Sequence, residues 1–452
     1  MNTPPESPVK WCGGESEPTR PLQTRDIPLS LYVHLPWCAR KCPYCDFNSH
    51  RAPTDIPERE YIAALLQDAE TLPPLIWGRR VRTLFIGGGT PSLFSPAAVD
   101  SLLCGLRALS LLTPDTEITL EANPDSADVA RFSEFASVGI NRLSLGAQSF
   151  DDDMLTAIGR IHNGDAARRA ASAAAQTFAN FNIDLMHALP AQTSAMAAED
   201  INIALSFSPP HLSLYQLTLE SGTPFFRHPP ANLPSADDAA EISDVCMTKA
   251  TSAGLQRYEV SAFAVPGSEC QHNLNYWEFG DYLGIGAGAH DKITGEGKIS
   301  RRIRIKNPRD YMRHAIHNNV VLESREVSTA DAAFEFMLGV LRLSGGFTPS
   351  MLSERAGVAL SDLHNIIAGC EQDGLLACDA KVIKPTAKGL RYLNEMLVRF
   401  LPEEDGGQSG LKANKRPQTG TATPRQQSAN TTRLLQSRSD APDENVRRGS
   451  AG

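Results

Sequence analysis

From Leu29 onward the chain alternates between two hydrophobic patterns. Short apolar, β-rich runs, LSLYVHL (29–35), TLFIGG (83–88), EITLEA (117–122), RLSLGA (142–147), NIDLMHAL (182–189) and HLSLYQLT (211–218), read as strands. Between them YIAALLQDAETL (61–72), PAAVDSLLCGLRAL (96–109), DVARFSEFASV (128–138) and DAARRAASAAAQTF (165–178) read as helices. Strand alternating with helix six times over predicts parallel pairing through right-handed crossovers. That order suits a doubly wound sheet or a barrel. The unusual residues separate the two: HLPWC, GGGTPS, EANPD, GAQSF, DLMHALP and QLTLESGTPF each stand at the end of a different strand. Barrel sites gather residues from several strand ends, whereas a doubly wound sheet places its ligand at one switch point. The sequence therefore predicts an α/β fold, a partial (β/α)6 barrel over residues 29–225.

After residue 225 the pattern changes. QRYEVSAFAV and DYLGIGAGAH read as strands around a polar insert, CQHNLNYWEFG, in a barrel extension over 226–329. AAFEFMLGVLRL, SDLHNIIAGCEQDGLL and AKGLRYLNEMLVRFL predict a mainly helical region over 330–401, where GLLACDAKVIKPTAKG resembles the wing of a winged helix. The C-terminal region is thus mixed α+β. Residues 1–28, rich in Pro, Glu, Ser and Thr, predict a flexible leader, and residues 402–452, without an aromatic, a disordered tail.

With 43 Lys and Arg against 52 Asp and Glu, the net charge of -9 argues against broad electrostatic capture of nucleic acid or anionic lipid. A wing invites a DNA-binding reading. Its helix, however, carries Asp362, Glu371 and Asp373 and no Lys or Arg, so no nucleic-acid partner is expected. No run reaches ~18 apolar residues and none reads as a secretory signal. A cytoplasmic location without an integral membrane segment is expected, with peripheral membrane contact and a homodimer left open. The nine cysteines form no disulfide framework. Three of them crowd after the first strand as Cys38-x3-Cys42-x2-Cys45. Three thiolates at this spacing, with Pro43 disfavouring a continuous helix, let a loop wrap a 4Fe-4S cubane and leave its fourth iron open. Zinc is the rival, and it would require a fourth ligand such as His34 or His50.

The Cys triplet within YVHLPWCARKCPYCDFNSH (32–50) resembles the radical S-adenosylmethionine (SAM) superfamily, and within it the oxygen-independent coproporphyrinogen III oxidase-like branch. FIGGGTPS (85–92), EANP (121–124), NRLSLGAQSF (141–150), GRIH (159–162), NIDLMHALPAQ (182–192), HLSLYQLTLE (211–220) and HNLNYW (272–277) carry the likeness further, from about Leu29 to Leu401. The resemblance implies a 4Fe-4S cluster on Cys38, Cys42 and Cys45 whose open iron chelates SAM, and whose electron cleaves the sulfonium to a 5'-deoxyadenosyl radical. It implies SAM contacts from Tyr32, Gly88, Gly89, Thr90, Glu121, Gln148, Arg160 and Asp184, with Phe47 beside the adenine. Plainer roles compete. The glycines can make a tight turn, Glu121 and Gln148 can support turns, Arg160 and Asp184 can form a buried ion pair, and Phe47 can be core.

Decarboxylating oxidases of this branch usually carry a further Cys two residues after the third ligand. Here the order is Cys45-Asp46-Phe47, the form of the branch's heme chaperones. Relatives also often have glycine where Ala188 and Ala191 stand. In HNLNYW, a histidine beside two large aromatics suits axial ligation of heme by His272, with Cys270 as a competing ligand. The resemblance thus implies binding of heme and its delivery to heme-accepting proteins, respiratory ones among the candidates. Decarboxylation of coproporphyrinogen III is the first alternative, and radical methyl or other group transfer the second. Because His272 lies far in sequence from the SAM contacts, the two are expected to act independently.

Overall fold

The computed structural model describes Leu22 and residues 26–402, apart from Trp77 and residues 125–128. The expected tail, and nearly all of the expected leader, lie outside the described residues. Six parallel strands run side by side in chain order: β1 (Leu29–Leu35), β2 (Val81–Gly88), β3 (Glu117–Ala122), β4 (Arg142–Gln148), β5 (Phe181–His187) and β6 (His211–Gln216). Beyond β6 lie the short β7 (Gln256–Arg257) and β8 (Ala262–Ala264). On the other flank β9 (Asp281–Ile285) pairs parallel with β1, and β10 (His290–Gly295), β11 (Lys298–Arg304) and β12 (Val321–Glu326) continue as an antiparallel meander. The sheet order, β12-β11-β10-β9-β1-β2-β3-β4-β5-β6-β8-β7, has two free ends, so the barrel is partial.

Helices Glu58–Ala69, Pro96–Ala108, Gly164–Thr177 and Ser194–Ser206 cover the outer face. The last three start on side-chain caps, Ser95, Asn163 and Thr193, each accepting a backbone N–H two or three residues into the first turn. Leu102, Leu103 and Leu106 pack with the outward strand residues Leu31, Val33, Leu84, Ile86, Leu120, Leu143 and Leu145 in one core. Alternation turns the other set inward: Ser30, Tyr32 and His34 on β1, Thr83 and Phe85 on β2, Glu117 and Glu121 on β3, Arg142 and Ser144 on β4, Asn182 and Asp184 on β5, and Ser213 and Tyr215 on β6. A (β/α) barrel ordinarily fills its interior with branched apolar side chains. Here the inward side chains are polar and aromatic. Tyr215 keeps 42% of its surface accessible although its strand lies within the sheet.

The extension is joined to the barrel by charge. Asp281, fully buried at the start of β9, accepts from Arg79 Nη1 (2.7 Å), Lys292 Nζ (3.0 Å), Thr294 N (2.9 Å) and Thr294 Oγ1 (2.8 Å). Burial alone would raise its pKa, but Lys292 and Arg79 outweigh it and hold the carboxyl below the usual range. Within the polar insert, to which the sequence reading assigned no element, residues Gln271–Trp277 form a helix packed on β2, β1 and β9. Helices Thr329–Val340 and His364–Gln372 and the ribbon Leu376–Cys378/Ile383–Pro385 share a separate apolar cluster around Phe336, Met337, Phe347 and Met396, a winged-helix-like unit. Among the described residues, no helix is long and apolar enough to cross a membrane.

Candidate cluster, cofactor and lumen site

The loop after β1 holds Cys38, Cys42 and Cys45 as free thiols. It is fastened at its base by His50 N to Pro36 O (2.7 Å) and Ala52 N to Cys38 O (2.8 Å), and internally by Cys45 N to Cys42 O (3.2 Å) and Lys41 Nζ to Phe47 O (2.8 Å). Ser49 Oγ lies 3.7 Å from Cys45 Sγ. Burial pushes the Cys38 and Cys45 thiols above the usual cysteine range, so they hold their protons until a metal displaces them. Both histidines that zinc would need are committed elsewhere. His34 Nε2 meets Asn48 O at 2.9 Å, and His50 Nε2 meets Asn48 Oδ1 at 3.2 Å. Among the described residues, no three His, Cys, Asp or Glu side chains converge as ligands of one ion. A cubane places its three thiolates on separate irons, which suits thiols spread along a loop.

The glycines of GGGTPS pass over this loop. Gly88 has φ +116°, and a Cβ there would lie 2.6 Å from the His34 ring; one on Gly89 would lie 2.5 Å from Trp37 O. Gly89 N donates to Leu35 O and Thr90 N to Trp37 O, both at 2.8 Å, so the tight-turn role is real whatever else the segment binds. Gly88 N donates to Glu121 Oε2 (3.1 Å), and Thr90 Oγ1 accepts from Asn123 Nδ2 (2.9 Å). Arg160 reaches across the strand ends. Its Nη2 donates to Asn123 Oδ1 and Gly146 O, both at 2.8 Å, and its Nη1 lies 3.7 Å from Cys42 Sγ. Its buried Nε has no partner.

The rival Arg160–Asp184 ion pair does not form. Asp184 is held instead by Asn182 Nδ2 (2.8 Å) and Ser144 Oγ (3.1 Å), neutral groups that reach it along the inner face of the sheet. Burial, and then the neighbouring Asp184, lift Glu121 to about 7; burial likewise raises Asp184. Two half-buried carboxylates on the inner face of the sheet suit a cationic ligand, and an orphaned guanidinium N–H suits an anionic one. A sulfonium amino acid carries both charges, so these residues fit SAM above a cluster on the cysteine loop. Gln148 ends β4 at φ +70° and is half-buried. Phe47 is 62% exposed, so its core reading is overturned: the loop that presents the cysteines carries this ring outward.

Deeper in the lumen, Tyr32 OH lies 3.0 Å from His34 Nδ1. Burial lowers His34 to about 4, so the ring is neutral; Nε2–H donates to Asn48 O, which leaves Nδ1 to accept from Tyr32. His272 is ordered by the same logic. Thr83 Oγ1 donates to Ser30 Oγ (2.8 Å) and therefore accepts from His272 Nδ1–H (2.9 Å). Burial, and then Arg142, lower His272 to about 3, so its Nε2 is left as an unprotonated lone pair.

Two expectations about this histidine are corrected. Its ring neighbours are Phe85 (5.1 Å) and Tyr32 (6.4 Å). Helix geometry sends the aromatics of HNLNYW elsewhere: Tyr276 lies against Tyr282 (5.2 Å) and Trp277 under the Arg342 guanidinium (4.3 Å). The proximity to Tyr32, one of the expected SAM contacts, also means that distance in sequence does not separate His272 from that expected set. Cys270, the competing ligand, is buried with Sγ 4.0 Å from Glu117 Oε1, and burial raises its pKa, which disfavours the iron-binding thiolate. The sequence reading did not single out Tyr215 and Arg142, which also face inward. Strand alternation carried the signal for Arg142 and Tyr215, each two residues from an inward neighbour.

The model of the radical SAM superfamily matches residues 32–203, and that of the HemN C-terminal domain matches residues 327–392. The heme chaperone HemW of Haemophilus influenzae is 43% identical over 383 residues, covering 83% of this chain and 99% of the relative. Its Escherichia coli counterpart is 42% identical over 378 residues, with the same coverage. A mouse protein, radical S-adenosyl methionine domain-containing protein 1, mitochondrial, is 35% identical over 391 residues, covering 83% of this chain and 87% of its own. Among solved structures, coproporphyrinogen III oxidase (HemN) from Escherichia coli superposes with a TM-score of 0.71 at 24% identity over 83% of this chain and 90% of that one, a likeness of fold. Taken with the cysteine loop and the partial barrel, these matches place the chain in the HemW family of the radical SAM superfamily.

Proposed function

We propose that the protein is a cytoplasmic heme chaperone that carries a 4Fe-4S cluster, binds SAM, and passes heme to acceptor proteins, respiratory ones among them. Cys38, Cys42 and Cys45 hold the cluster, which when bound supplies an open iron and an electron. Tyr32, Gly88, Gly89, Thr90, Glu121, Gln148, Arg160 and Asp184 receive SAM, and Phe47 stands beside its adenine. The barrel of residues 29–225 carries this chemistry, the extension of 226–329 brings His272, and the unit of 330–401 serves as lid or docking surface. One observation supports the heme reading. His272 is a neutral imidazole whose Nδ1–H is spent on Thr83, so Nε2 is free for iron beside the rings of Phe85 and Tyr32.

The fold likeness to coproporphyrinogen III oxidase favours a second reading, decarboxylation of the porphyrinogen. Against it stands Phe47, where the oxidase pattern places a cysteine. Titration of the purified protein with heme tests the proposal. We expect saturable, near-stoichiometric binding, and a shifted or weakened heme absorption band in His272→Ala. An unchanged spectrum in that variant moves the axial ligand away from His272, and no saturable binding by the wild-type protein overturns the chaperone reading.

A further inference from the structure

Arg142 is the first residue of β4 and faces inward with Ser144. It is 2% exposed, and its Nε has no hydrogen-bond partner. The nearby carboxylates Glu117 and Asp184 favour its charged form, but neither gives Nε a hydrogen bond. Glu117 accepts the backbone N–H groups of Gln271 (3.4 Å) and His272 (3.3 Å), and Asp184 is taken by Asn182 and Ser144. The other polar groups of the lumen floor close on one another: His211 Nδ1 meets Asn182 Oδ1 (2.7 Å) and His211 Nε2 meets Tyr258 OH (2.9 Å). A guanidinium offers five donors in a planar fork, and leaving even one unmet in a buried place costs free energy. Arg142 therefore keeps an unmet Nε–H on the inner face of the sheet, close enough to His272 for its charge to lower that ring's pKa.

We infer that Arg142 is an anchor for a carboxylate on the ligand taken into the lumen, a site separate from the Arg160 end of the barrel. Along β4 it lies four residues from Gly146, whose carbonyl Arg160 grips, about 13 Å at strand spacing. A planar carboxylate matches the guanidinium fork as a bidentate acceptor. The inference rests on the heme reading, because heme brings two propionate carboxylates on an otherwise flat apolar body.

Comparing iron protoporphyrin IX with its dimethyl ester tests it, since the ester keeps the iron and the ring but masks both carboxylates. The wild-type protein should prefer the free acid by roughly tenfold or more. Arg142→Gln should bind both forms within about twofold of each other, at the wild-type affinity for the ester, and Arg142→Lys should recover part of the preference, because it keeps the charge and loses the fork. Thermal unfolding and the absorbance of the reconstituted cluster report whether each variant is folded; should Arg142→Gln not fold, the intermediate preference of Arg142→Lys is the deciding result. A full free-acid preference in Arg142→Gln or Arg142→Lys overturns the inference, as does a wild-type protein that binds both forms alike. A wild-type protein that binds neither form overturns the heme reading itself, and the anchor with it.

Discussion

Glu121 sits where burial and Asp184 both oppose its ionisation, and its carboxyl is lifted from about 4.5 to about 7. A ligand that needs the ionised carboxylate must therefore remove a proton below pH 7 and need not above it. SAM affinity of the cluster-reconstituted protein should rise as pH passes upward through about 7, by up to about tenfold per unit on the acid side. Glu121→Gln should bind more weakly and lose this slope. Equilibrium dialysis at pH 6 and pH 8 checks both, and a wild-type affinity independent of pH contradicts the placement. The cysteines make a simpler demand. Replacing Cys38, Cys42 or Cys45 by Ala should abolish the broad absorbance of the reconstituted cluster, while Cys104→Ala, on an exposed helix position, should leave it. A cluster that survives Cys42→Ala contradicts the assignment.

Among the elements, β1 and β3 match their expected ranges to the residue, because each is a short apolar run whose length a single window captures. The helix Gln271–Trp277 was illegible for a physical reason. Its first N–H groups are met by Glu117, more than 150 residues away in sequence, and it packs on strands from three separate parts of the chain, so no local window contains what stabilises it. The cysteine loop was legible because spacing alone defines it, whereas the anchoring role of Thr83 beneath His272 needed the register of β1 with β2. After β5 the turn HALPAQ holds Ala188 at φ +57° and Ala191 at φ +60°, left-handed conformations that explain the glycine of relatives. Ala188→Gly and Ala191→Gly should each stabilise the protein by roughly 0.5–1 kcal/mol, the relief of Cβ strain outweighing the added freedom of the unfolded chain. A lowered denaturation midpoint in both variants contradicts this.

At the scale of the whole molecule, the basic run KISRRIRIK reads in isolation as a charged surface, yet the fold pairs its three arginines with carboxylates. Arg301 binds Glu335, Arg302 binds Asp291, and the fully buried Arg304 lies between Asp68 and Asp291. Asp281 does the corresponding work where the extension meets the barrel. Asp281→Ala would strand Lys292 and Arg79 without their carboxylate and should cost about 3–5 kcal/mol in denaturant unfolding; a loss below about 1 kcal/mol would contradict the joint. What the assembled molecule offers is a cysteine loop at one end of a partial barrel and a neutral histidine with a free nitrogen inside it. The most direct test gives the anaerobically reconstituted protein, with SAM and a reductant, coproporphyrinogen III in one vessel and heme in another. The account predicts near-stoichiometric heme binding, transferable to an apo acceptor, and no protoporphyrinogen IX. Decarboxylation through many turnovers, without saturable heme binding, would contradict it.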